Sequence, residues 1–184
     1  MKIIETSLEG CFLINLRKKE DERGYLTRLF CQKTFHELLK EKTICQINHT
    51  FTKIEGTIRG LHFQYPPSTE VKIISCLKGK IWDVVVDIRK GSPTFLSYYA
   101  TELSQDDCNS LYVPEGFAHG FQTLTSDCEM LYFHTAEHNI QAQGAINPLD
   151  PIISIKWPRV ISKISTRDSN HPMLEKKFCG IEIK

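Results

Sequence analysis

No stretch of this 184-residue chain approaches the roughly 18 consecutive apolar residues that a membrane-spanning helix requires. Charge of one sign is missing as well. The 23 basic and 22 acidic side chains nearly cancel, so no global field draws the chain to nucleic acid or to an anionic membrane. The seven cysteines are odd in number, scattered, and without a Cys-x-x-Cys pair. That pattern reads as reduced thiols in a cytosol rather than a disulfide framework, with Cys76 and Cys128 as small core residues. Residues Met1 to Gly10 carry Glu5 and Glu9 and lack the apolar region of a secretory signal. No Gly-x-Gly-x-x-Gly follows a strand, so nothing points to a nicotinamide cofactor. Repeats, low-complexity tracts and linkers are absent too, and residues 1–184 read as one domain long enough to bury a core.

What is present has the punctuation of an all-β protein. Val71 to Leu77, Trp82 to Ile88, Phe95 to Ala100, Leu111 to Val113 and Glu129 to His134 are short runs rich in β-branched and aromatic residues. Lys78-Gly79-Lys80, Gly91-Ser92-Pro93 and Thr125-Ser126-Asp127 separate them as turns. This spacing points to a sandwich or barrel. One helix is expected near Thr34, where Thr34-x-x-Glu37 reads as a capping box and Phe35, Leu38 and Leu39 form an apolar stripe. The polar segment Ser162 to Glu175 is expected to lie outside the barrel as a short helix or loop. Alternation puts Met130, Tyr132 and His134 on one face of a strand and Glu129, Leu131 and Phe133 on the other. It also sets Lys72 on a face with Ile74 and Cys76. A lysine there either reaches solvent at an edge or meets an anion in a wet cavity.

Two segments place histidines among glycines and apolar residues: Arg59-Gly60-Leu61-His62-Phe63-Gln64, and Pro114-Glu115-Gly116-Phe117-Ala118-His119-Gly120-Phe121. With Gly56 they resemble the two halves of the cupin signature, which normally builds a metal site in a small jelly-roll barrel. Here Gln64 stands where the second histidine of a His-x-His pair belongs. A carboxamide is a poor transition-metal ligand beside imidazole, so no metal is expected.

The chain as a whole resembles the dTDP-4-dehydrorhamnose 3,5-epimerase family. The likeness runs through Asp21-x-Arg23-Gly24, Gln46-Ile47-Asn48, the Gly56 to Gln64 block, Pro67, Lys72 and Asp83 to Arg89. It continues through Ser92-Pro93-Thr94, the Pro114 to Phe121 block, Leu131-Tyr132, Asp150-Pro151, Trp157-Pro158 and Ser165-x-x-Asp168. The resemblance implies a homodimeric, cytoplasmic, cofactor-free cupin jelly roll with a few short peripheral helices. Its substrate would be a nucleoside-diphosphate 4-keto-6-deoxyhexose, used to make a deoxysugar for a surface polysaccharide or a glycosylated product. Carbons flanking a ketone lose a proton when a base is in reach and the enolate is stabilised. By resemblance His62 is the base, Asp168 orients it, Tyr132 delivers a proton from the far side and Lys72 holds the enolate oxygen. Arg59, His119 and Arg23 stand as diphosphate contacts, with Arg167 near the phosphates and Gln46 and Asn48 along the nucleotide path. In the family the Arg23 segment comes from the partner subunit. His36, His49 and His171 receive no role.

The departures from the family cluster where it reads the base. Leu26 stands for a phenylalanine, Arg28 for a glutamate, His138 for a tyrosine and Gln143 for another glutamate. In the thymidine-sugar enzymes that phenylalanine and tyrosine sandwich the thymine. A carboxylate can accept the thymine N3–H, whereas a guanidinium offers donors alone. The changes therefore raise CDP- or GDP-linked sugars as alternatives to dTDP-linked ones, and leave open whether C3, C5 or both are inverted. Three rivals remain: a metal-dependent oxygenase that recruits Glu70, a non-catalytic sugar-nucleotide-binding cupin, and an isomerase moving the keto group between C4 and C3.

Overall fold

The computed structural model describes residues 1–183. In chain order its elements are β1 (Lys2–Glu5), β2 (Phe12–Asn15), β3 (Lys18–Asp21), β4 (Gly24–Thr27), α1 (Gln32–Leu39), β5 (Gln46–Thr52), β6 (Thr57–Gln64) and β7 (Lys72–Lys78). They continue as β8 (Lys80–Asp87), β9 (Tyr98–Ser104), β10 (Asn109–Val113), β11 (Phe117–Thr123), β12 (Cys128–His134), β13 (Gln143–Ala145), β14 (Lys163–Ile164) and α2 (Thr166–Ser169). One sheet runs β1-β2-β10-β7-β12-β5, the other β13-β6-β11-β8-β9, with β14 parallel to β6 and β3–β4 a separate hairpin. The expected all-β jelly roll with small outer helices is what forms.

The sheets face each other because alternate residues on each are apolar. Ile74, Met130 and Tyr132 of the first sheet pack in one cluster with Ile81, Val85 and Phe121 of the second. Cys76 and Cys128 are buried in that cluster, as expected, and all seven cysteines are free thiols. The opposite face of the first sheet carries Ile73, Tyr112 and Phe133 against Phe35 and Leu39 of α1. Each such side chain contributes roughly 1.5–3 kcal/mol by leaving water. The alternation read in β12 is therefore real on both faces.

Two local expectations are corrected. The first helix starts at Gln32, with Cys31 at the N-cap and no side chain capping it. Thr34 lies inside the first turn, its N–H donated to the Cys31 carbonyl. Aromatic packing of Phe30 on Phe35 and Phe133 outweighs the capping pattern and draws the helix start back. The strand expected from Phe95 begins at Tyr98, since Phe95 and Ser97 donate their N–H groups within the turn to Ser92 and Thr94.

One irregularity builds the site. In the β6–β11 pairing His62 faces His119 and Arg59 faces Phe121, so β6 has one residue more than its partner between these points. Without that bulge Arg59 and His62, three apart, would point to opposite faces; with it both point between the sheets. Gly60 makes it possible. Its φ is +125°, and a Cβ there would lie 2.5 Å from the Cα of Gly120.

Candidate active site

A cavity of about 690 Å³ opens between the sheets. The second sheet contributes Arg59 and His62 of β6 and His119 of β11 to its lining. The first contributes Lys72 of β7, Tyr132 and His134 of β12 and Asn48 of β5, and α2 closes one end with Arg167 and Asp168.

His62 is held by Asp168. Its Nε2 lies 3.0 Å from Asp168 Oδ1, while the Gly60 N–H donates to Oδ2 at 3.2 Å. Asp168 is fixed in turn because Ser165 caps α2, accepting the Asp168 N–H at 3.0 Å. With Nε2–H donated to the carboxylate, Nδ1 carries the lone pair of a general base. Burial pushes the His62 pKa down, against the upward pull of Asp168, and Arg167 and Lys72 push it further down. The imidazole is thus neutral at neutral pH. Burial opposes the charge of Asp168, but the His62 hydrogen bond and charge, the Gly60 N–H and Arg167 hold its carboxyl well below the usual range.

Across the cavity Tyr132 is buried, and burial together with the nearby Asp83 raises its phenol well above the ordinary value. The hydroxyl therefore stays protonated at neutral pH, a proton donor and not a base. Lys72 is buried with its ammonium 3.2 Å from Glu70, so the lysine faces a wet cavity rather than an outer edge. His119 pairs with Asp83 at 2.7 Å, and Asp83 is completely buried, its pKa raised by that burial. Arg59 is clamped by Thr52 at 3.0 Å and by the Phe51 carbonyl at 3.3 Å.

The donors do not assemble the metal set of a cupin oxygenase. Gln64 is turned to the loops, donating to the Ser68 and Glu137 carbonyls and accepting the Asn139 N–H at 2.7 Å. Glu70 is bound to Lys72 and His134. Among the described residues, one group could geometrically hold a cation, His62, Asp168 and His171, with donor atoms within 4.8 Å of one another. The Arg167 guanidinium, 3.3 Å from His62 Nε2, opposes one there.

Comparison with known proteins decides the family. A family model described as dTDP-4-dehydrorhamnose 3,5-epimerase matches residues 5–176. The dTDP-4-dehydrorhamnose 3,5-epimerase of Sinorhizobium fredii is 39% identical over 163 residues, 88% of this chain and 84% of the relative. The chain belongs to the dTDP-4-dehydrorhamnose 3,5-epimerase family. Its members are isomerases of the epimerase type, on the cupin jelly roll. Among solved structures, the dTDP-6-deoxy-D-glucose-3,5-epimerase of Legionella pneumophila, in complex with dTDP-4-keto-L-rhamnose, superposes with a TM-score of 0.92 at 32% identity, covering 100% of this chain and 98% of that one. The 3'-monoepimerase ChmJ of Streptomyces bikiniensis, in complex with dTDP-quinovose, superposes at 0.86 with 29% identity, covering 92% and 86%.

Of the residues that the epimerase-family resemblance singles out, His62, Asp168, Tyr132, Lys72, Arg59, His119, Asn48 and Arg167 line one cavity. Gln46 sits beside it, donating to Asn48 Oδ1 at 3.1 Å and accepting the His138 N–H at 3.0 Å. The remaining three, Arg23, Arg28 and His138, lie elsewhere in the chain. Arg23 is 84% exposed at the hairpin tip, bound to Asp21, because β3–β4 projects from the barrel. Arg28 and Leu26 line a small hollow near Leu16 and Phe35, and His138 lines a separate depression with Pro67 and Ser68. Reading the sequence missed Asp83 as the partner of His119. The signal was there: alternation puts that carboxylate on the core face with Ile81 and Val85. It also missed His171, 3.3 Å from Asp168, for which the sequence carried no signal.

Proposed function

We propose that the chain inverts one or both stereocentres flanking the ketone of a dTDP-linked 4-keto-6-deoxyhexose. The observation that carries this reading is that His62 and Tyr132 stand on opposing sheets across one cavity, with Lys72 beside Tyr132. His62 takes a proton from a carbon next to the ketone through Nδ1, and Asp168 stabilises the imidazolium. The Lys72 ammonium holds the enolate oxygen. Tyr132 returns a proton to the opposite face, which inverts the centre. No redox step occurs, since the ketone is already present and electrons end where they began. Arg59 and Arg167 supply the positive wall for the diphosphate, with His119 beside them in the same cavity.

The functional unit proposed is a homodimer of one cupin domain per chain. Strand β5 is a sheet edge whose outward Ile47 and Phe51 are 57% and 49% exposed, an edge that pairing would cover. The β3–β4 hairpin, with Leu26 67% exposed, has no core of its own. In the dimer it would bring Arg23 and Arg28 to the partner's cavity. The seven free thiols support a reducing, cytoplasmic setting, which fractionation of the producing cell checks.

Arg28 favours a second reading of the nucleotide. Its guanidinium suits the acceptor edges of cytosine or guanine better than the thymine N3–H. Solvent deuterium uptake from dTDP-, CDP- and GDP-4-keto-6-deoxyhexoses, followed by NMR, separates the readings. Uptake from the dTDP sugar supports the first, and the labelled carbons give the regiochemistry. Uptake from the CDP or GDP sugar alone establishes the second, and Arg28→Glu should then shift preference toward dTDP by about tenfold. No uptake from any of the three overturns the enzyme reading in favour of a binding protein.

A further inference from the structure

We propose that Glu70 and His134 form a third carboxylate–imidazole pair of this active site, which positions Lys72 and sets how much of its charge faces the substrate; the inference rests on the epimerase reading above. Glu70 immediately precedes Val71 and β7, and its carboxylate is shared. Oε1 lies 3.2 Å from Lys72 Nζ and Oε2 lies 2.7 Å from His134 Nδ1. Lys72 and His134 are direct cross-strand partners in the β7–β12 ladder, so both project from the same face into the cavity. All three side chains are largely buried.

The proton positions follow from the neighbours. Gln46 Nε2 donates to Asn48 Oδ1 at 3.1 Å, which fixes the Asn48 amide with its nitrogen toward His134. That nitrogen is 3.3 Å from His134 Nε2 and can only donate, so Nε2 accepts and Nδ1 carries the hydrogen given to Glu70. The ring is also steadied by Tyr132, whose ring lies 6.0 Å away at 20°. Burial works against the charge of Glu70, yet the His134 hydrogen bond and the Lys72 charge keep its pKa below the ordinary value, so it is anionic.

An anion beside Lys72 has two opposed effects. It seats an ammonium that otherwise swings on a flexible four-carbon stem. It also cancels charge that the enolate oxygen needs, strongly so in a medium of low dielectric. His134 resolves the conflict. By donating to the second carboxylate oxygen it draws off part of the negative charge, and Lys72 stays seated but electrophilic. Glu70 and His134 act through Lys72 and are positioning residues.

His134→Phe keeps a ring for Tyr132 to pack on and removes the Nδ1 donor, whereas His134→Asn keeps a donor nitrogen near the Nδ1 position. The expected result is a kcat for solvent exchange lowered about tenfold in His134→Phe, with KM within about twofold, and recovery of most of that loss in His134→Asn. Equal kcat values in the two variants, or a loss confined to KM, would overturn the proposal. Side-chain 15N NMR of the free protein gives a readout independent of turnover. It should show His134 protonated at Nδ1, with that signal altered in Glu70→Gln; an Nε2–H tautomer contradicts the pairing. If the wild-type protein exchanges no substrate proton, the epimerase reading fails by itself, and the NMR result still decides whether the pair exists.

Discussion

Inside the barrel every imidazole has its carboxylate: His62 with Asp168, His119 with Asp83, His134 with Glu70. At the rim the reverse holds, with Leu26, Tyr25, Ile47 and Phe51 bare to solvent and Arg23 tied to its own neighbour Asp21. The inner region is preorganised, its side chains fixed by hydrogen bonds from rigid strands, as proton transfer requires. The outer region has apolar side chains that nothing in the chain itself covers. On the proposed reading the proton-transfer groups are complete within one chain, while recognition of the nucleotide would draw on surfaces that a second copy completes.

The largest effect that tests this contrast comes from the inner region. His62→Ala should lower solvent exchange roughly 10²–10⁴-fold while leaving dTDP affinity by calorimetry unchanged. Retained exchange would remove His62 from the role of base. A smaller effect is expected at the rim: Ile47→Lys should convert the protein to a monomer by light scattering and weaken nucleotide binding about tenfold, since the hairpin contribution is lost. An unchanged mass would show that β5 is not the pairing edge. The smallest effect concerns pH. Because the base must be neutral and its pKa is lowered, the acid limb of kcat/KM should lie below about 6.5. Arg167→Ala removes a charge that opposes the imidazolium, so His62 should bind its proton more tightly and the limb should move to higher pH. A limb that moves down, or not at all, contradicts the electrostatic role of Arg167.

Much of this was legible in the sequence, for physical reasons. Period-two alternation placed Met130 and Tyr132 on one face and Phe133 on the other, and both faces are filled because the strand lies between a core and a helix. Lys72 among apolar neighbours limited the choice to an edge in solvent or a polar cavity, since a bare ammonium in a core is not tolerated, and the fold decided for the cavity. The bulge at Gly60, which turns Arg59 and His62 to one side, was not legible, since it depends on how closely β6 and β11 approach. Alternation set Asp83 on the core face but not the residue it meets there, since His119 is 36 residues away in the chain and comes beside it only because their strands are adjacent. The helix start failed for a related reason: the Thr34 pattern is local, and aromatic packing from β12 is not.

The opposition of His62 and Tyr132 across the cavity is most directly tested by Tyr132→Phe incubated with the 4-keto sugar in D2O and followed by NMR. The account predicts deuterium entering next to the ketone with the original configuration kept, because His62 still removes the proton and returns a deuteron on its own face. Normal inversion in this variant would contradict it, and would place the proton donor elsewhere in the cavity.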